Sequence, residues 1–132
     1  MANLARAGAR NPKVKAYAET IQNPGNVDSY IRPVYVYRDE NEEIVRTPEF
    51  MFHDLSTQGF LEGDCDDIAT FTAALTKAMN VPTRLTGIMS HDAEEYDHVF
   101  SEARIGEYWL PIDLTVPPGT TYRIYGHMSE MV

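Results

Sequence analysis

The residue best suited to nucleophilic chemistry is Cys65, the only cysteine in the 132-residue sequence. It lies where a Gly- and Asp-rich loop, Gly63-Asp64-Cys65-Asp66-Asp67, meets an apolar segment that we predict to be a helix. Asp64 is a favourable N-cap, and Asp67 three residues later completes a capping box. The unpaired N–H groups at a helix start favour a thiolate, whereas the three aspartates oppose it. A single cysteine is more often an inert core residue, so the case for chemistry depends on other residues.

A predicted β-hairpin brings a histidine close to an aspartate. Residues 96–105 and 108–115 have the composition of strands, and Gly106-Glu107 between them suits a two-residue type II′ turn. With that turn, the numbers of facing residues sum to 213, so that His98 and Asp113 become diagonal neighbours on one face. Such neighbours are about 7–8 Å apart at the backbone, within side-chain reach. A three-residue loop would move Asp113 to the opposite face.

The helix that begins at Cys65 is predicted to cover this face of the hairpin. Ile68, Phe71 and Leu75 recur at helical spacing and form one apolar stripe, and Cys65 lies on the same side. Packing of the stripe on the face that carries His98 would bring the thiol to the imidazole. The result is a thiol, a base that takes its proton, and a carboxylate that orients the base. Singly, a strand histidine and a strand-end aspartate have ordinary structural explanations, but the three together are less easily explained so.

The rest of the sequence predicts one domain with a short extension. Residues 1–10 show no periodicity and predict a flexible basic arm, whereas residues 11–132 predict a single domain. Helices are expected to start at Asn11-Pro12 and Thr47-Pro48. Strands are expected at 30–37, 83–89 and 122–125, loops at 39–43 and 90–95, and the end of the Cys65 helix at Asn80.

Composition and charge narrow the classes of partner. Apolar residues make up 43% of the chain, and no run of about 18 of them suggests a membrane span. The net charge of −9 argues against nucleic acid as a partner. Residues 1–15 nevertheless hold four basic and no acidic residues. The segment is interpreted either as a solvated arm or as an arm that docks on an acidic assembly partner. With one cysteine and no signal peptide, we expect a cytoplasmic protein or a component of a phage particle.

The motifs resemble those of the transglutaminase-like superfamily, in the short form found in bacteria and phages. The similarity covers residues 59–116 and rests on Gly63-Asp64-Cys65-Asp66-Asp67, Val81-Pro82-Thr83-Arg84, Asp97-His98-Val99-Phe100-Ser101-Glu102 and Trp109-Leu110-Pro111-Ile112-Asp113-Leu114-Thr115. The resemblance implies a papain-like α+β fold with a Cys-bearing helix packed on a small antiparallel sheet. Asn80 replaces a glycine usual in the family, and Asp66 replaces the aromatic residue that often follows the nucleophile in animal transglutaminases.

The same resemblance assigns roles to residues. Cys65 would be the nucleophile, His98 the general base and Asp113 the orienting acid. The family's chemistry is acyl transfer on amide bonds through a thioester, as a peptidase or amidase or by amine cross-linking, with a protein or peptide substrate and no cofactor. An oxyanion hole would need the Cys65 backbone N–H and one more donor, and Gln58 is either that donor or an exposed glutamine at a helix end. Trp109 would lie near the site or only in the core.

Two other classes of function compete with this prediction. A metal site is disfavoured because the four histidines are scattered in the sequence and a single cysteine excludes the usual structural zinc sets. The stronger rival is a non-catalytic interaction or structural protein, for example a phage particle component, that keeps the scaffold without the reaction. The basic N-terminal segment and the acidic remainder would suit such an assembly role.

Overall fold

The structure is a computed structural model that describes residues 1–39, 44–89, 96–121 and 126–132. The α-helices within these residues are α1 (Ala2–Arg10), α2 (Pro12–Ile21), α3 (Val27–Ile31), α4 (Pro48–Gln58) and α5 (Cys65–Ala78). The strands are β1 (Tyr35–Tyr37), β2 (Leu61–Gly63), β3 (Thr83–Met89), β4 (His98–Ile105), β5 (Tyr108–Ile112) and β6 (Gly126–Met131). The predictions made for residues 40–43, 90–95 and 122–125 lie outside the described residues.

The helix boundaries follow local capping chemistry. The Asn11 side chain accepts hydrogen bonds from two backbone N–H groups at the start of α2, and Thr47 caps α4 through the Phe50 N–H. Helix α4 ends at Gly59 with φ of 84°, and Asn80 adopts φ of 61° after α5. The predicted starts of α2 and α4 and the predicted end of α5 are confirmed, since each depends on a few neighbouring residues.

The sheet positions two of the three candidate catalytic residues. Strands β5, β4, β3 and β6 form a four-stranded antiparallel sheet in that order, and β1 pairs in parallel with β2. The predicted hairpin register is confirmed, because Ile105 pairs with Tyr108 and Ser101 with Ile112. Gly106 has the positive φ of 61° that the turn requires.

Helix α5 packs on the opposite face of the sheet from the one we predicted. Thr72 Oγ1 lies 2.7 Å from Ser101 Oγ, and Thr76 Oγ1 lies 2.8 Å from Thr83 Oγ1, all in buried positions. By strand alternation, these sheet residues lie opposite the face of His98. The prediction was wrong because the His98 face also carries Glu102, which binds Arg84 and Thr86 across the strands and is poorly suited to an apolar helix.

The main core lies between α5, the other helices and the inner face of the sheet. Helices α2, α3, α4 and α5 and strand β2 contribute its large buried side chains, which include Val14, Ile21, Ile31, Met51, Leu61, Phe71 and Leu75. The mixture of helices with a small antiparallel sheet confirms the predicted α+β class, with the Cys-bearing helix on the sheet.

Residues 1–10 differ from the flexible arm that the sequence suggested. They form helix α1, in which Ala2 and Ala5 are buried together with Ala69 and Ala73 of α5. Small side chains give a weak apolar period in sequence, yet they allow two helices to approach closely. The segment is therefore part of the packed structure.

The segment predicted as strand 30–37 is mostly helical. It contains the end of α3 and a 3-10 turn at Arg32–Val34, and only Tyr35–Tyr37 forms a strand. The β-prone composition of this segment was overruled by packing, because Val27 and Ile31 are fully buried one helical turn apart.

Candidate active site

The nucleophile candidate occupies the first position of α5. Asp64 caps the helix through the N–H groups of Asp66 and Asp67, and the Asp67 side chain accepts the Asp64 N–H in return. The Ile68 N–H binds the Asp64 carbonyl. Of the four backbone N–H groups of residues 64–67 at the start of α5, only that of Cys65 has no acceptor among the described residues. A backbone donor beside a partly exposed thiol is what an oxyanion hole needs.

The base candidate and the acid candidate form a direct hydrogen bond. His98 Nε2 lies 2.7 Å from Asp113 Oδ2, and the two side chains are 15% and 7% exposed. The other carboxylate oxygen, Asp113 Oδ1, accepts the Thr115 hydroxyl at 2.7 Å and the Thr115 N–H at 3.1 Å. The carboxylate is thus held from both sides, and the predicted proximity of His98 and Asp113 is confirmed.

The Cys65 thiol lies close enough to His98 to influence the charge of the imidazole. Burial lowers the pKa of His98, but the hydrogen bond to Asp113, the nearby Cys65 thiol and the negative charges of both groups outweigh burial and raise the pKa to about 9. Nε2 is the ring nitrogen that faces Asp113. His98 is the first residue of β4, Cys65 the first of α5, and Asp113 directly follows β5. The three side chains therefore meet at one end of the sheet.

Acidic and aromatic groups surround the sulphur. Asp66 Oδ1 lies 3.9 Å from Cys65 Sγ, as expected from the aspartates that flank the cysteine in sequence. The Tyr35 hydroxyl donates to the Gly63 carbonyl at 2.8 Å, and burial raises its pKa well above the ordinary value. Burial also raises the pKa of the more exposed Tyr37, with Asp39 and Cys65 contributing negative charge. Neither tyrosine could be assigned to the site from sequence, because β1 is far from Cys65 along the chain.

A buried carboxylate fixes the loop in front of Cys65. Asp67 is fully buried and accepts the Arg46 N–H at 2.7 Å, while Arg46 Nη1 donates to the Glu62 carbonyl. A Cβ atom at Gly63 would lie 2.7 Å from Asp67 Oδ2, so only glycine fits there. The capping-box spacing predicted the role of Asp67, but no local signal identified Arg46.

A second ion pair supports Asp113 from behind. Arg32 binds the Asp28 carboxylate through two hydrogen bonds of 2.9 and 2.8 Å. The same guanidinium donates to the backbone carbonyls of Val116 at 2.6 Å and Asp113 at 3.1 Å. This contact ties helix α3 to the segment after β5 across more than 80 residues of sequence, so sequence reasoning missed it.

The structure places Gln58 and Trp109 in other contacts. Gln58 is exposed at the end of α4 and donates its amide to the Phe60 carbonyl at 3.1 Å. Trp109 is half-buried on β5, where the Arg84 guanidinium stacks on its ring at 4.1 Å. No contact of the described residues joins either side chain to Cys65, and their roles in oxyanion or substrate binding stay predictions.

The described residues contain no group of three or more His, Cys, Asp or Glu side chains arranged to hold a metal ion. None of the helices in the described ranges has both the length and the apolarity that crossing a bilayer demands.

The fold and the site define an α+β protein with a Cys–His–Asp group at the start of its central helix. The family model of the transglutaminase-like superfamily matches residues 15–114, and the chain belongs to that superfamily. No curated protein is similar enough to count as a match. A crystal structure from Cytophaga hutchinsonii, named a "putative cysteine protease", is similar with a TM-score of 0.64 and 17% sequence identity. The similarity covers 91% of this chain and 46% of that one, so the chain spans about half the length of that protein.

Proposed function

We propose that the protein catalyses cysteine-dependent acyl transfer on amide bonds of a protein or peptide, with water as the main acceptor. The observation that carries the proposal is the 2.7 Å contact of His98 with Asp113, with Cys65 close enough to His98 to raise the pKa of the imidazole. Membership of the transglutaminase-like superfamily supports cysteine-based chemistry in general. The choice of amide hydrolysis rests on the absence of any feature in the described residues that selects an amine acceptor.

The first half of the reaction uses the thiol and the imidazole as a pair. In the resting enzyme the proton of Cys65 Sγ already resides on His98 as a thiolate–imidazolium pair, and the thiolate attacks the substrate carbonyl carbon. The Cys65 N–H stabilises the negative charge that develops on the carbonyl oxygen. The imidazolium then gives its proton to the leaving nitrogen, the C–N bond breaks, and an amine departs from the acyl-thioester.

The second half regenerates the enzyme. His98 removes a proton from water, whose oxygen attacks the thioester carbonyl. The C–S bond breaks, the sulphur leaves as thiolate with its imidazolium partner, and a carboxylic acid is released. An amine in place of water would give a new amide, which is the transglutaminase outcome.

The charge of His98 suits this sequence of steps. Since its pKa is raised to about 9, the ring is an imidazolium at neutral pH. A positive charge beside Sγ stabilises negative charge on the sulphur against the acidic neighbours. Asp113 keeps Nε2 protonated and orients the ring.

The activity is tested by offering a peptide mixture with and without a fluorescent primary amine, and by following both by mass spectrometry. We expect peptide cleavage or side-chain amide hydrolysis that is lost in Cys65→Ala, whose fold is verified by circular dichroism. Dominant incorporation of the amine would instead assign the transglutaminase reaction. Equal product formation by the wild type and Cys65→Ala would exclude Cys65 as the nucleophile.

The rival non-catalytic role is tested by the rate of iodoacetamide alkylation against pH. An ordinary thiol has a pKa of about 8.5 and loses about tenfold in rate per pH unit below it. We expect Cys65 to keep most of its reactivity at pH 6 and His98→Gln to show the steep fall of an ordinary thiol. A steep fall in the wild type would favour a scaffold that does not catalyse the reaction.

A further inference from the structure

A positively charged groove lies at the end of α5 away from the thiol. It has a volume of about 480 Å³ and is bordered by the end of α1, the start of α2 and the end of α5. We call it the basic groove and define it by four basic residues, Arg6, Arg10, Lys15 and Lys77, around the small side chains of Ala9 and Ala78. Lys77 is twelve residues after Cys65, which corresponds to about 18 Å along a helix. The basic groove is therefore separate from the candidate active site.

The cations of the basic groove are not neutralised within the described part of the chain. Arg10, Lys15 and Lys77 are exposed there and form no ion pair in that part. Arg6 donates to the Asn3 side chain and to the Met131 carbonyl, both uncharged acceptors. Asn80 and Val132 complete the lining of the groove, and no Asp or Glu side chain contributes to it. Four of the chain's 11 basic residues are thus gathered on a protein whose net charge is −9.

Helix termini explain only part of this cluster. Arg10 lies in the last turn of α1 and Lys77 in the last turn of α5, where each cation compensates about half a negative charge of the helix dipole. Four positive charges against two such termini leave the groove with an excess of about three positive charges. Lys15 lies in the first half of α2, where the dipole gives no reason for a cation. The surplus is suited to a ligand with several negative charges.

We propose that the basic groove binds an acidic peptide segment of a partner protein. The four cations are spread around the small side chains of Ala9 and Ala78. This arrangement fits a peptide whose acidic side chains are spaced along it better than it fits a small anion with its charge in one place. A nucleic acid is disfavoured, because its phosphate backbone would extend beyond the groove over the acidic remainder of the molecule, whereas a short peptide segment stays within the groove. The sequence suggested that a flexible basic arm docks on an acidic partner; in this proposal a folded surface of α1, α2 and α5 takes that role.

The test measures anisotropy of a labelled ten-residue peptide with six glutamates, and of the same peptide with glutamine at those positions. We expect the glutamate peptide to bind at least about tenfold more tightly than the glutamine peptide at low salt, and more weakly as NaCl screens the charges. The double variant Arg10→Glu/Lys77→Glu should lose binding by at least about tenfold. The control Lys13→Glu/Arg104→Glu changes the net charge equally outside the groove and should change binding less than threefold.

Further measurements keep each outcome decisive. Alkylation of Cys65 should be unchanged in the variant Arg10→Glu/Lys77→Glu, which shows that its fold is intact. If that variant unfolds, Arg10→Gln/Lys77→Gln takes its place and should bind the glutamate peptide severalfold more weakly than the wild type. Equal binding of both peptides, or equal loss in the groove variant and its control, overturns the proposal. Tighter binding of a labelled single-stranded oligonucleotide, or a salt-sensitive dimer in sedimentation that the groove variant abolishes, also overturns it and assigns the groove to another partner.

Discussion

At the scale of single residues, the site depends on how His98 is charged. Its pKa is set by a contest between burial, which disfavours the imidazolium, and the negative groups of Asp113 and Cys65, which favour it. The folded-state pKa of about 9 exceeds the ordinary value of 6.5. The stabilisation that protonated His98 contributes is therefore complete below pH 6.5 and is lost as pH rises through about 9.

The first prediction concerns the titration of His98. In an NMR titration of the imidazole signals, we expect His98 to titrate near pH 9 in the wild type. Asp113→Asn keeps a possible acceptor but removes the negative charge, so the pKa of His98 should fall. The matched control Glu107→Gln removes an exposed carboxylate at the β4–β5 turn and should leave the titration unchanged. Identical curves for Asp113→Asn and the wild type would contradict the described pair.

The second prediction concerns Gly63, in the loop that precedes Cys65. In Gly63→Ala, the new methyl would lie 2.7 Å from two buried atoms of Asp67. We expect the free energy of unfolding, measured in urea, to drop by about 2 kcal/mol or more because the loop or the capping carboxylate must move. Gly87→Ala is the control, since its methyl meets only the Tyr96 ring at 3.5 Å, an ordinary contact. A loss at Gly63 no larger than at Gly87 would show that Asp67 does not hold the loop as described.

At the scale of secondary-structure elements, the ends of α5, β4 and β5 bring Cys65, His98 and Asp113 together. The ends of elements are held less firmly than their middles, and contacts from elsewhere in the chain support two of these three ends. Arg46 binds Asp67 at the start of α5, and Arg32 of the 3-10 turn binds the segment after β5. Both arginines are distant in sequence from the segments that they hold.

The contacts of Arg32 lead to a third prediction. Arg32→Lys keeps the charge but loses the planar fork that reaches Asp28, Val116 and Asp113 together. We expect the free energy of unfolding to fall by about 2 kcal/mol and the alkylation rate of Cys65 at pH 6 to fall severalfold. The exposed pair of Arg38 and Glu62 provides the control, and Arg38→Lys should cost less than about 1 kcal/mol. Should alkylation stay unchanged while stability falls, Arg32 supports the fold without positioning Asp113.

The packing of α1 gives a fourth prediction. Ala5 is fully buried against α5, whereas Ala7 on the same helix is exposed. We expect Ala5→Asp to lower the free energy of unfolding by about 3 kcal/mol or more, because a carboxylate loses its water there. Ala7→Asp should cost about 1 kcal/mol or less, as a matter of helix propensity. Equal effects of the two substitutions on the free energy of unfolding in chemical denaturation would indicate that residues 1–10 are a flexible arm and do not pack on α5.

At the scale of the whole molecule, charge is divided along α5. Aspartates crowd its first turn, and the cations of the basic groove surround its last turn, an arrangement that complements the helix dipole. The chain as a whole carries an excess of nine negative charges, which repel one another in the compact state.

The excess charge gives a fifth prediction. Raising NaCl from about 10 mM to about 0.3 M shortens the Debye length from about 30 Å to below 10 Å and should raise Tm by a few degrees, as followed by circular dichroism. The triple variant Glu19→Gln/Glu107→Gln/Glu130→Gln removes three exposed negative charges and should show a smaller rise. A falling Tm with added salt would mean that attractive charge pairs outweigh the repulsion.

Sequence reasoning succeeded where a few adjacent residues determine the outcome. The capping box at Cys65 and the Gly106 turn belong to this kind, and the turn alone set the register that joins His98 to Asp113. It failed where a choice depends on packing at a distance, as with the sheet face that receives α5. Alanine-rich α1 escaped notice because small side chains give little apolar contrast, although they pack closely.

The two buried hydroxyl pairs between α5 and the sheet have a mechanical consequence. The hydrogen bonds of Thr72 with Ser101 and of Thr76 with Thr83 lie one helical turn apart on α5. The helix can therefore neither slide along the sheet nor rotate about its axis without breaking a buried hydrogen bond. A slip of a single residue would carry the sulphur about 1.5 Å along the axis, enough to disengage it from the imidazole. The accuracy of the reacting end is thus set by threonines two and three turns away.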